Sequence, residues 1–276
     1  MSNTSRQNAA PGSQVPHVGT YRRAMTVSLE RMYENALDWE HLPYVHDTSF
    51  SAINVLDSGR WGWKAALVDA RGNDSVIELL LDRDSRRWIT RNLEGGAVGS
   101  EIWTHVFVTG ERAIEIVVDF FVPGVAEADR DKTGDAYTRL YHQLYDEDEA
   151  MMLARQRELD QRIQPSVENR VTLPPRAELS LPHSFELGGR RHVLREHAGE
   201  LIAHAAVCPH QLGPLDNAEL VTGEIVCPWH GYRFRLRDGM RVNPGSNGNS
   251  SGSNCSLRAA PKVVETAAGI EVVAND

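Results

Sequence analysis

The chain has 276 residues, 41% hydrophobic and 24% charged, proportions of a soluble globular protein with room for two domains. Its formal net charge of -9 argues against nucleic acid or an anionic membrane surface as a partner. Three cysteines make no disulfide framework, and no apolar run reaches signal-peptide or transmembrane length, so a cytoplasmic protein is expected.

Residues 1–18 are polar and small and read as a flexible tail. An amphipathic helix is predicted over about 29–42, with Leu29, Met32, Tyr33, Ala36 and Leu37 on one face and Pro43 as its stop. Glu34, Asp38 and His41 form a second stripe, and His46 follows the break, where the chain can turn it back towards His41. Short β-like runs then span about 50–121, separated by turns at 69–72, 82–85, 94–96 and 109–111. With no intervening helix they imply an antiparallel sheet, half covered by the next helix.

That helix is predicted over about 134–162. At about 100° per residue, Tyr137, Leu140, Tyr141, Leu144, Tyr145, Met151, Met152 and Leu159 share one broad face, with Asp148 at its middle. Its neighbours Asp146, Glu147 and Glu149 fall at the margins or behind. A carboxylate centred on an apolar stripe is costly unless it is paired or bound to a cation. An acidic run is usually a solvated face, and only phase singles out Asp148. His41 and His46, close after Asp38, and Asp148 therefore offer a two-His, one-carboxylate set, the kind that leaves open positions on iron(II).

Residues 164–182 read as a linker, and a second, all-β unit follows with runs at 185–187, 192–196, 200–206 and 223–227. Residues 244–256 read as a small-residue loop, and 263–273 close the unit. Between these runs stand Cys208-Pro-His210 and Cys227-Pro-Trp-His230, two Cys/His pairs a short hairpin apart. The order Cys-His-Cys-His departs from a zinc finger, which groups its cysteines before its histidines. One thiolate and one imidazole on each of two loops suit a two-iron, two-sulfide cluster with two Cys on one iron and two His on the other. Cys255 is left over.

This motif resembles the Rieske iron–sulfur family over about 170–275. The string Glu34-Asn-Ala-Leu-Asp38-Trp-Glu-His41-Leu-Pro-Tyr-Val-His46 resembles the mononuclear iron motif of Rieske non-haem iron oxygenases, and Glu147 to Gln156 resembles the helix carrying their carboxylate ligand. The resemblance implies an α+β chain. A helix-grip (START-like) antiparallel sheet with a long C-terminal helix forms a catalytic domain at 19–163, and a Rieske [2Fe-2S] domain occupies 183–276. Cys208, His210, Cys227 and His230 would hold the cluster; His41, His46 and Asp148 would bind iron(II), with Asp38 in the bridging position. It further implies a homotrimer, a separate reductase or ferredoxin as electron donor, and O2 with a small aromatic or apolar substrate. The domain order, catalytic first and Rieske last, is the reverse of the family's usual one. A Rieske electron carrier fused to a ligand-binding domain without mononuclear iron is the competing expectation.

Overall fold

The computed structural model describes residues 15–161, 168–242 and 255–275, so the expected tail up to residue 14 and most of the 244–256 loop lie outside the described residues. The chain divides into two units. The first comprises residues up to Leu42 with His46–Glu149, the second Pro43–Val45 with Ala150–Asp276.

The first unit is built on a seven-stranded antiparallel sheet of β1 (His17–Met25), β2 (Phe50–Gly59), β3 (Gly62–Asp69), β4 (Asp74–Asp82), β5 (Arg87–Glu94), β6 (Glu101–Gly110) and β7 (Ala113–Phe121). The spatial order β1-β7-β6-β5-β4-β3-β2 is a plain meander, except that β1 adds itself at the far edge beside β7. The expected turns all stand at strand junctions, although Thr109 and Gly110 still belong to β6. Residues 17 and 18, expected in the tail, instead open β1. A register shift between His17 and Gly19 spoils the alternation there: Val18 and Tyr21, three apart, are both buried.

Helix α1 (Leu29–Leu37) is capped by Ser28, whose side chain accepts from the Arg31 N–H at 3.3 Å. It ends earlier than expected, because Asp38 leaves the helical region (φ -86, ψ 79). Trp39–His41 form a 3-10 turn, and α2 (Leu42–Val45) carries Pro43 in its first turn. Proline fits there because its missing N–H would have no helical partner anyway, so Pro43 starts an element rather than stopping one. The buried Trp63 indole donates to the Ala36 carbonyl at 2.9 Å and fixes the end of α1 on the sheet.

Helix α3 (Arg130–Asp160) covers the sheet, giving the helix-grip architecture. Phe120 lies 5.2 Å from Tyr137 and 5.1 Å from Tyr141, and Tyr21 stacks on Tyr145 at 6.1 Å. Leu140 and Leu159, expected on this face, are exposed. Asp146 and Glu149 both pair with Arg23 of β1, at 2.5 and 2.6 Å, which ties the helix to the sheet edge. Among the described residues no helix is long and apolar enough to cross a membrane.

The second unit holds three small antiparallel sheets. They are β9 (His183–Leu187), β10 (Arg190–His197) and β11 (Glu200–Ala205); β12 (Glu219–Val221), β13 (Glu224–Val226) and β14 (Arg233–Arg235); and β8 (Arg170–Leu173) with β15 (Lys262–Thr266) and β16 (Gly269–Val273). Strand β8 lies inside the expected linker and pairs with β16, where Leu173, Ile270 and Val272 join one buried cluster. The closing segment expected at 263–273 is a hairpin, β15 and β16.

Gly134 marks the closest approach of α3 to β1. A Cβ there would stand 2.1 Å from the Val18 carbonyl oxygen, so only glycine lets the helix seat. Gly134→Ala should lower the stability of the first unit by about 1–3 kcal/mol despite alanine's better helix propensity, because backbone must move. Calorimetric unfolding measures this; an unchanged or raised melting transition would show that the helix is not seated on Val18.

Candidate functional site

In the first unit, the 3-10 turn after α1, the residue that follows α2 and the middle of α3 bring three buried side chains together. Asp148 Oδ1 lies 3.4 Å from His41 Nε2 and 3.1 Å from His46 Nε2, and the two Nε2 atoms are 3.3 Å apart. All three residues are less than a tenth exposed. Bonds of about 2.1 Å from a divalent metal to nitrogen or oxygen would set neighbouring ligand atoms roughly 3.0–3.4 Å apart, so the donor set fits one metal ion. His46 backs onto the next strand: its carbonyl accepts the Ser49 and Phe50 N–H groups at 2.8 and 2.9 Å.

Electrostatics follow from the packing. Burial alone would raise the Asp148 pKa, yet hydrogen bonds from His41 and His46 outweigh it and hold the carboxyl well below its usual range. Burial likewise disfavours charge on His46, but the Asp148 and Glu147 carboxylates overcome it and raise its pKa. Asn35 Nδ2 donates to Asp148 Oδ1 at 2.8 Å.

Asp38 is placed near His41, but its Oδ2 is 3.8 Å from Nδ1, beyond hydrogen-bond reach. Glu147, assigned by phase to the margin of α3, instead bonds His46: Oε2 stands 2.6 Å from Nδ1. The position directly before Asp148 is only 100° away on the helix, and a bent-in His46 reaches both. Among the sheet's aromatic side chains, Trp63, Trp88, Trp103 and Phe120 are buried, whereas Phe107 is 53% exposed.

In the second unit, Cys208 and His210 lie on the loop from β11 to β12, Cys227 and His230 on the loop from β13 to β14. The two loops use one turn twice. Cys208 N–H donates to Gly213 O and Cys227 N–H to Tyr232 O, both at 2.8 Å; Leu212 N–H and Gly231 N–H return to the two cysteine carbonyls at 3.1 and 2.9 Å. Leu212 and Gly231, four residues after each cysteine, are both left-handed (φ 64 and 63). The repeat presents two sulfurs and two imidazoles to one small volume. The Cys208 thiol donates to the Cys227 sulfur, which holds Cys227 below the usual thiol range and pushes Cys208 up, with burial opposing the first and adding to the second. The His210 and His230 rings lie 4.6 Å apart. His210 stacks on the buried Tyr232 at 4.4 Å, and the Arg241 guanidinium lies 3.6 Å from the Tyr232 ring centre. Cys255 packs beside this core.

Residues 169–251 match the family model of the Rieske [2Fe-2S] domain. This stretch is a Rieske [2Fe-2S] domain. It implies the cluster that two thiolates and two imidazoles suit, and all four side chains stand on its two matching loops. The chain is similar to the ferredoxin component of the alkene monooxygenase system of Xanthobacter autotrophicus (strain ATCC BAA-1158 / Py2), 29% identical over 82 residues. These are 29% of this chain and 61% of that protein, so the chain spans less than two thirds of the length of this relative. Among solved structures, the ferredoxin of carbazole 1,9a-dioxygenase from Nocardioides aromaticivorans IC177 matches at 21% identity and TM-score 0.31, over 39% of this chain and 100% of its own. The Zhui aromatase/cyclase from Streptomyces sp. R1128 matches at 15% identity and TM-score 0.43, over 53% of this chain and 99% of its own.

Gly213 sits where the two Rieske loops converge: a Cβ would lie 3.0 Å from the Cys227 sulfur and 3.1 Å from the Trp229 ring. Gly213→Ala should therefore hold markedly less cluster than the unmodified protein, read from visible absorbance and acid-labile sulfide per chain. Full cluster content in the variant would show that the loops have room to spare.

Proposed function

We propose that the chain is the terminal oxygenase component of a Rieske non-haem iron system. It would use O2, with electrons from a separate reductase or ferredoxin, to hydroxylate, dihydroxylate or O-demethylate a small aromatic or apolar organic substrate. The observation that carries this reading is the convergence of His41 Nε2, His46 Nε2 and Asp148 Oδ1 in a buried site of a chain that also holds a Rieske domain. Iron(II) held by these residues supplies open positions for O2 activation.

The chain's own groups divide the work. Cys208, Cys227, His210 and His230 hold the cluster that stores the electron. His41 and His46 would each offer Nε2 to the metal, and Asp148 would supply a negative charge that offsets the cation in a buried setting. Burial of all three keeps bulk water from the reacting groups. Asp38, 3.8 Å from His41 Nδ1, is the proposed bridging residue: a small side-chain movement lets it accept that N–H. A homotrimer is part of the same proposal.

The similarity to ferredoxin components favours a second reading, a Rieske electron carrier fused to a ligand-binding domain. Metal content separates the two. On the oxygenase reading the protein holds a third iron beyond the cluster's two, and Asp148→Ala loses it with the Rieske spectrum intact. Asp146→Ala and Glu149→Ala keep it, since both carboxylates face Arg23. Uptake of the third iron should weaken as pH falls from about 8 to about 6, because the metal must displace a proton from His46, whose pKa is raised in the metal-free protein. Two irons per chain at every pH would establish the carrier reading instead.

A further inference from the structure

We propose that Glu147 is a positioning residue for the metal site, fixing the tautomer and orientation of His46; the proposal rests on the iron reading above. The two ring nitrogens of His46 lie on opposite edges of the imidazole. Nε2 faces Asp148 and His41, while Nδ1 meets Glu147 Oε2 at 2.6 Å. Glu147 thus cannot share an ion held at Nε2. It accepts the Nδ1–H and leaves the Nε2 lone pair free for metal, and its negative charge makes that nitrogen a stronger donor.

The carboxylate is itself braced. Gln143, one turn earlier on α3, donates through Nε2 to Glu147 Oε1 at 3.0 Å and stands 2.7 Å from Thr48 Oγ1. Thr48 lies two residues beyond His46, so the helix grips both the imidazole and the chain that carries it. One helical turn of α3 supplies both the carboxylate facing the metal position and the one behind it. The two histidines are consequently unequal: behind His41 the Asp38 carboxylate stands back at 3.8 Å, whereas behind His46 the bond is short and made.

The test compares Glu147→Gln and Glu147→Ala with the unmodified protein, each shown to fold by circular dichroism and an intact Rieske spectrum. In the metal-free protein, at a pH high enough for His46 to be neutral, long-range proton–nitrogen NMR should find its proton on Nδ1 in the unmodified protein and in mixed tautomers in Glu147→Ala. Affinity of the mononuclear site for added Fe(II) should drop about 10–100-fold in Glu147→Ala. Glu147→Gln, whose amide oxygen still accepts the N–H, should lose clearly less. Equal affinity and an unchanged tautomer in Glu147→Ala would overturn the proposal. A protein that takes up no third metal at all sinks the iron reading and the metal-anchoring role with it, while the tautomer measurement still decides whether Glu147 orients His46.

Discussion

A carboxylate buried in the middle of an apolar helix face must be compensated, and the first unit is arranged around that requirement. Asp148 stands on α3 among side chains that pack on the sheet, and its charge is met by His41, His46 and Asn35. Removing one partner from such a set leaves an uncompensated buried charge, at a cost of about 3–5 kcal/mol. His41 and His46 stand at the two ends of the short helix α2, and its turn brings both imidazoles onto the same carboxylate. The break at Asp38 has its own reason: in an α1 continued through this point Pro43 would have collided with the carbonyl four residues back.

The second unit solves a similar problem by repetition. Each ligand loop closes on its cysteine through the same pair of backbone hydrogen bonds, with a left-handed residue at the same step. One loop uses glycine there and the other uses Leu212, which accepts the steric cost that glycine avoids. Prolines after both cysteines and Gly213 beneath the Cys227 sulfur let the loops meet without a side chain intervening.

Much of this was legible in the sequence. The meander from β2 to β7 announced itself through turn residues at regular intervals, and helical phase separated Asp148 from its acidic neighbours. Phase failed where the partner was not on the helix: Glu147 points aside from the apolar stripe, yet His46 is carried across to it by a chain break that periodicity does not encode. Strand β1 was hidden because a register shift near Gly19 breaks its alternation, and β8 because it lies in a proline-rich stretch that reads as linker. Leu140 and Leu159 show the converse error, since apolar residues at the right phase are not obliged to be covered. The 3.8 Å gap between Asp38 and His41 depends on the turn at Asp38, which helix phase treats as continuous.

The central claim is that one chain carries a Rieske cluster together with a separate two-histidine, one-carboxylate iron site. Mössbauer spectroscopy of protein reconstituted with iron-57 tests it most directly, because the cluster irons and an isolated high-spin ferrous ion give distinct quadrupole doublets. The account predicts, beside the cluster's pair of sites, a third doublet of about half their combined intensity. That doublet should vanish in His41→Ala while the cluster signals persist. A spectrum containing the cluster signals alone, in protein with a full cluster and added ferrous iron, would contradict it.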